Sequence, residues 1–227
     1  MPAPISVLIP TLNAAPHLGP TLACLTEGLT AGLIREVILS DGGSTDDIAQ
    51  IAEGVGARLM TGPPGRGGQL ARAAAAARGD WLLALHADSR PAPGWAGAVQ
   101  AHIAGHADRA GYFDLRFDRT GPAPRLVAGW ANLRARAARL PYGDQGLLMP
   151  AALYRHVGGY RDMPLMEDVA LARALGRRMR PLGHVIVTSA DRYVRDGWLR
   201  RGARNLSTLA LYRLGADPVW LAQRYRR

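Results

Sequence analysis

Two apolar runs in this chain end in carboxylate-bearing clusters. Val37-Ile38-Leu39-Ser40-Asp41 leads into Gly42-Gly43-Ser44-Thr45-Asp46-Asp47, and Trp81-Leu82-Leu83-Ala84-Leu85 leads into His86-Ala87-Asp88. Each run has the continuous apolar character of a strand buried on both faces. Each delivers a potential ligand to its own C-terminal end, which is where open α/β sheets bind. A solvated turn is the alternative for either tip taken alone. Between them lies Gly65-Arg66-Gly67-Gly68-Gln69, an arginine among glycines just ahead of a helical pattern. Such a loop offers N–H donors and positive charge to an anion such as a diphosphate. Glycines at 42, 43 and 67 allow a tight turn or a close backbone approach to a ligand. Asp41 at a strand tip can accept the ring N–H of a nucleotide base. Asp88 is an oxygen ligand of the kind magnesium and manganese prefer, and capping the segment after it is its other reading.

Two further acidic sites lie downstream. Asp144 belongs to the polar knot Pro141-Tyr142-Gly143-Asp144-Gln145-Gly146, and Glu167-Asp168 opens a helical pattern. A carboxylate within reach of a hydroxyl can act as a general base, whereas acids in a first helical turn also stabilise the helix dipole. His102 and His106 share a helix face, but no glutamate follows His102 as a metalloprotease would need, so both are expected in solvent. Cys24 is the single cysteine; it lies in an apolar helical stretch with no motif around it and reads as a core thiol.

The elements that must position these groups alternate in type. Strands are predicted at Ile5 to Ile9, Glu36 to Leu39, Arg58 to Met60 and Trp81 to Leu85. Helices are predicted at Leu18 to Leu29, Asp46 to Val55, with Thr45 or Asp46 as N-cap, and Gln69 to Arg78. That rhythm implies right-handed βαβ units and a mostly parallel central sheet flanked by helices. Beyond Pro91-Ala92-Pro93-Gly94 it changes. A helix from Trp95 to Ile103 and a strand from Tyr112 to Phe117 precede an interruption at Pro122 to Pro124. Next come a helix from Leu126 to Arg139, a short helix near Ala151 to Val157, a helix from Glu167 to Arg178 and a strand at Val185 to Val187. The rest is helical, basic and aromatic.

With 227 residues, 48% of them hydrophobic, the chain suits one α/β domain with a sizeable core. The expected division is a nucleotide-binding half at 1–92, a second half at 93–190 and a C-terminal helical segment at 191–227. The N-terminus lacks a basic leader pattern, and no run reaches the ~18 apolar residues of a membrane span, so a cytoplasmic protein is expected. All 28 basic residues are arginine and the formal net charge is +10, which favours anionic partners. Nucleic acid fits poorly, because the arginines are dispersed and no helix-turn-helix, zinc-finger or RNP pattern occurs. Walker A and dinucleotide-binding glycine patterns are also missing, against an ATPase or a dehydrogenase.

Taken in order, Pro10-Thr11-Leu12-Asn13, the Asp41 tip, the Gly65–Gln69 loop, His86-Ala87-Asp88, Gly158-Gly159-Tyr160 and Glu167-Asp168 resemble family 2 glycosyltransferases. The likeness extends to about Arg200. Gly143-Asp144-Gln145 and His86-Ala87-Asp88 look like the small soluble subgroup labelled "transferase 2, rSAM/selenodomain-associated". The resemblance implies a GT-A fold, a Rossmann-like nucleotide-diphospho-sugar transferase architecture. It also implies inverting transfer from a nucleotide-sugar to an acceptor hydroxyl. Donor contacts would come from Pro10, Thr11, Asn13, Asp41, Gly42, Gly43, Arg66, Gly67, His86, Ala87 and Asp88. Asp88 would hold a divalent cation, manganese or magnesium. His86 stands where the family's Asp-x-Asp motif has its first aspartate, which shifts the metal towards manganese or the histidine towards a ribose or sugar contact. Asp168 would be the base and Glu167 its positioning neighbour, with Asp144 either a contact for the acceptor or the alternative base. The processive Gln-x-x-Arg-Trp pattern is missing, which suits single transfer. Asp41 suits uracil, with guanine left open. The rivals are a sugar-phosphate nucleotidyltransferase, whose glycine-rich loop would follow the first strand, and a non-catalytic nucleotide-binding or peripheral membrane protein. Arg192, Arg195, Arg200, Arg201 and Arg204 with Tyr193, Trp198, Leu199, Leu206, Leu209 and Tyr212 fit an anionic membrane surface presenting a lipid-linked acceptor. They equally fit a helix packed on the core with its arginines in solvent.

Overall fold

The structure, a computed structural model, describes residues 3–226. Met1-Pro2, on which the leader reading partly rests, and Arg227, the end of the C-terminal segment, lie outside the described residues. Strands β1 (Ile5–Thr11), β2 (Ile34–Asp41), β3 (Arg58–Thr61) and β4 (Trp81–Ala84) alternate with helices α1 (Ala15–Thr30), α2 (Ile48–Gly54) and α3 (Arg66–Ala76). These strands pair in parallel, in the order β3-β2-β1-β4. Along β1, Ile5, Val7 and Ile9 join one apolar cluster with Leu25 and Trp95, while Leu8 joins another with Ile38 and Leu70. The two-residue strand period therefore fills both faces, which is why the run shows no polar alternation.

The second half adds β5 (Ser89–Pro91), α4 (Trp95–Gly105), β6 (Ala110–Phe117), α5 (Pro122–Ala138), β7 (Leu147–Pro150), α6 (Ala151–His156), α7 (Glu167–Leu175) and β8 (Met179–Thr188). Helices α8 (Asp191–Asp196), α9 (Trp198–Arg213) and α10 (Pro218–Arg226) follow. Strand β7 runs antiparallel to β4 and β6, and β8 runs parallel to β6 and antiparallel to β5. All join one sheet in the order β3-β2-β1-β4-β7-β6-β8-β5. It is parallel through its first half and mixed beyond β4. The reversal at β7 matters most for the site, because Leu147 at its start lies opposite Ala84 at the tip of β4. Gly143–Gln145 thus reaches the sheet edge that carries His86 and Asp88.

Several local expectations change. Pro122 opens α5 instead of interrupting the chain, since a proline in a first turn gives up an N–H that has no helical acceptor. Helix α3 begins at Arg66, ahead of the alanine-rich pattern. Asp46 does not cap α2; its carboxylate accepts the Ala15 N–H at 2.8 Å at the start of α1. Strand β8 starts at Met179, and β5 carries too few residues to show a period. His102 is buried, with Nε2 on the Arg109 carbonyl at 3.1 Å and its ring edge-on to Trp81. Cys24 is half-buried and outside the core. Tyr193 stacks on Trp198 with centroids 4.9 Å apart, and both meet Phe117 edge-on. These aromatics therefore pack inward, while Leu199 and Leu206 are exposed. Among the described residues no helix is long and apolar enough to cross a membrane.

Candidate active site

The tips of β1 and β2 are tied together before any ligand arrives. Asp41 is buried, and its carboxylate accepts from the Thr11 hydroxyl at 2.9 Å, the Gly43 N–H at 2.8 Å, the Ser44 N–H at 2.7 Å and the Ser44 hydroxyl. Burial alone would raise its pKa, but these donors, led by Ser44, hold the carboxyl below its ordinary range. Asn13 braces the same loop, accepting the Thr45 N–H at 2.9 Å and donating its own N–H to the Ser44 hydroxyl at 2.8 Å. Gln69 on α3 donates to the carbonyls of Thr11 and Ser40, each at 2.7 Å. Sequence reasoning assigned Asp41 a base contact; here its side chain organises the strand tips.

A cleft of about 620 Å³ opens beside them. Of the residues expected to contact a donor, Pro10, Thr11, Asn13, Arg66, His86, Ala87 and Asp88 line it, whereas Asp41, Gly42, Gly43 and Gly67 stand outside the lining. Gly42 and Gly67 instead allow close packing, and Gly43 takes a positive φ. A Cβ at Gly42 would stand 3.1 Å from the Pro64 Cα, and one at Gly67 would stand 2.1 Å from the Arg161 carbonyl. A Cβ at Gly68 would meet the Asp162 carboxylate at 2.6 Å. The loop at 161–163 thus seats directly on the first turn of α3, a reason for glycine that the sequence alone did not show.

An inner cavity of about 110 Å³ adjoins the cleft, and Arg66, His86, Asp88 and Arg192 face both. Its far wall carries Tyr142, Asp144, Asp168 and Tyr193. The Asp168 carboxylate accepts the Gly143 N–H and the Val169 N–H, each at 2.8 Å. Glu167 lies buried beneath, paired with Arg66 Nε, and its other oxygen has no partner. Burial raises the Glu167 pKa against the pull of Arg66. Burial also opposes the charge on Arg66, but Glu167 and Asp168 outweigh it and raise its pKa. Asp144 has a buried, unpartnered Oδ1. Burial, with Asp168 and Asp88 nearby and Arg134 and Arg66 opposing, pushes its pKa up to about 6. The Arg134 guanidinium lies 3.4 Å from the centre of the Tyr142 ring.

Burial, then the charges of Arg66 and Arg192, holds the His86 pKa well below its ordinary value, so the ring is neutral. Arg66 Nη1 stands 3.3 Å from His86 Nε2. A guanidinium only donates, so Nε2 accepts and the ring proton sits on Nδ1. His86 is therefore turned to Arg66 through Nε2. Among the described residues no group of three or more His, Cys, Asp or Glu side chains gathers to hold an ion. Arg192, Tyr193 and Tyr225 were not foreseen as site residues. They come from helices that return to the sheet edge, and nothing local marks that return.

An eight-stranded mixed α/β sheet, with a cleft at the tips of its parallel half and carboxylates across it, defines the GT-A class of nucleotide-sugar transferase folds. The chain belongs to the family described as Glycosyl transferase family 2, whose model matches residues 6–145. It is similar to glucosyl-3-phosphoglycerate synthase of Mycolicibacterium paratuberculosis, at 34% identity over 93 residues, covering 37% of this chain and 28% of that one. The synthase from Mycobacterium tuberculosis, solved with Mn2+, UDP and glucosyl-3-phosphoglycerate, superposes with a TM-score of 0.61 at 23% identity, covering 94% of this chain and 81% of that one. S. aureus TarS 1-349 with UDP superposes with a TM-score of 0.60 at 18% identity, covering 82% and 60%. The chain thus spans less than two thirds of the curated relative and of the TarS fragment.

Proposed function

We propose that this protein is an inverting, non-processive glycosyltransferase that moves a sugar from a UDP-linked donor to an acceptor hydroxyl. The observation that carries the reading is the shared wall of Arg66, His86 and Asp88 between cleft and cavity. A donor diphosphate in the one and a hydroxyl in the other would meet across it. Uridine diphosphate in the solved M. tuberculosis and S. aureus relatives supports the choice of nucleotide.

Asp168 acts as the base. Two backbone N–H groups orient its carboxylate in the cavity wall, and it takes the acceptor proton as the hydroxyl oxygen attacks the anomeric carbon. Attack from the side opposite the departing diphosphate inverts that carbon. Arg66 stays charged and neutralises the negative charge that develops on the leaving diphosphate, and Glu167 holds Arg66 in place. Asp144, protonated on the acidic side of about 6, is the second hydrogen-bonding partner for the acceptor. Asp88 fits a manganese or magnesium ion shared with the donor, because one carboxylate with phosphate oxygens and water is a usual shell for such ions. When bound, the ion would supply Lewis-acid neutralisation of the diphosphate.

The test is a panel of UDP-sugars with manganese, followed by UDP release. Slow release from at least one donor, abolished in Asp88→Asn, is the expected result. Silence across every UDP- and GDP-sugar would overturn the reading.

A further inference from the structure

A third concavity, of about 460 Å³, is built by the C-terminal helices and lined by Arg192, Arg195, Arg200, Arg201 and Arg204, with Asp196 and Tyr225. Arg192 and Arg195 stand one turn apart on α8, as do Arg200 and Arg204 on α9. Gly197 joins the two helices with φ +83, a left-handed corner that turns one arginine face towards the other. Five guanidiniums therefore surround one space with a single carboxylate among its lining residues. That carboxylate is fully engaged: Asp196 takes Arg195 Nε at 2.9 Å and Arg201 Nη1 at 2.7 Å. Arg201 also reaches the Tyr225 hydroxyl at 3.0 Å, and Arg204 the Tyr225 carbonyl at 3.4 Å. Arg192 and Arg200 have no acceptor among the described residues.

Unneutralised charges this close repel one another, and a bound anion relieves the repulsion. One guanidinium fork satisfies a carboxylate, whereas several converging forks suit the three oxygens of a phosphate. The place is also informative. Arg192, Arg201 and Tyr225 line both this concavity and the cavity that holds Asp144 and Asp168. We infer that Arg195, Arg200 and Arg204 seat a phosphate group carried by the acceptor, so that its hydroxyl is delivered to Asp168 next door. The inference rests on the transferase reading above and names the acceptor's chemical class: a phosphorylated alcohol, free in solution or as a lipid headgroup.

Calorimetric titration of the full chain with inorganic phosphate and with glycerol 3-phosphate tests this directly. Saturating UDP is present so that phosphate sites in the donor cleft are filled. Saturable binding is expected, weakened about tenfold or more in Arg200→Gln/Arg204→Gln, the usual effect of losing charged hydrogen bonds. Arg35→Gln/Arg155→Gln, equal in charge but remote from the concavity, should bind as the natural chain does. Flotation with phosphatidic acid vesicles separates the sources. Binding confined to vesicles and lost in the same double variant assigns the phosphate to a lipid. Absence of binding in both formats, or binding indifferent to Arg200 and Arg204, overturns the inference. Phosphate binding that depends on these arginines in a chain that neither binds UDP nor releases it from sugars upholds the anion seat and overturns only the transferase reading.

Discussion

At the scale of single residues, two carboxylates on one cavity wall are set apart by their surroundings. Asp168 is held by two N–H donors, so Asp168→Asn should lower kcat by ~10²–10⁴, the range for general-base catalysis. UDP affinity should be nearly unchanged, because the side chain faces the inner cavity. Equal loss of UDP binding in a calorimetric titration would contradict that role. Asp144 makes a different prediction. Burial raises its pKa from 3.8 to about 6 in the folded chain, so between those values the folded state keeps a proton that the unfolded chain has released. Its contribution to stability is complete below about pH 4 and is lost as the pH rises through about 6. Asp144→Asn removes that slope, so thermal melts should show the variant gaining on the natural chain from pH 4 to pH 6.5. A constant gap between the two melting temperatures would show that Asp144 titrates normally. The acids themselves were legible from type and position, Asp144 and Asp168 included. The raised pKa of Asp144 was not, because it depends on burial and on neighbours such as Asp88 and Asp168 that lie remote from it along the chain.

At the scale of elements, the first turn of α3 carries most of the local design. Its glycines looked like a cradle for a ligand, yet Gly67 exists because the Arg161 carbonyl presses on the helix. Gly67→Ala must push backbone from backbone and should destabilise the fold by about 1–3 kcal/mol, displacing Arg66 as it does so. Gly68→Ala meets only the end of the exposed Asp162 side chain. It should be neutral or gain up to about 1 kcal/mol from helix propensity. Denaturant melts of the two variants check the contrast, and equal losses would refute the packing account. Helix starts were the least readable features. Pro122 and Arg66 both begin helices where composition suggested a break or a loop, since a first turn needs no N–H partners and tolerates proline and glycine.

At the scale of the whole molecule, donor binding should couple the strand tips, α3 and the loop at 161–163, which all border one cleft. UDP at a hundredfold excess over its Kd should add ~2.7 kcal/mol of stability. The shift in melting temperature should shrink in chelator if Asp88 shares a cation with the diphosphate. An unmoved melting temperature with millimolar UDP and GDP would remove the donor site. Sequence alone determined the parallel first half of the sheet and which polar side chains stand at its strand tips. Those follow from short-range rules, since strand periods, turn residues and the C-terminal ends of βα units are all local. Tertiary structure alone decided the rest. The antiparallel return of β7 brought Asp144 beside Asp88, and the pairing of Arg66 with Glu167 joined residues from the two halves of the chain. The left-handed corner at Gly197 folded scattered arginines into one concavity. Each of these depends on contacts between segments remote in the chain, where burial and charge act only after the sheet has closed.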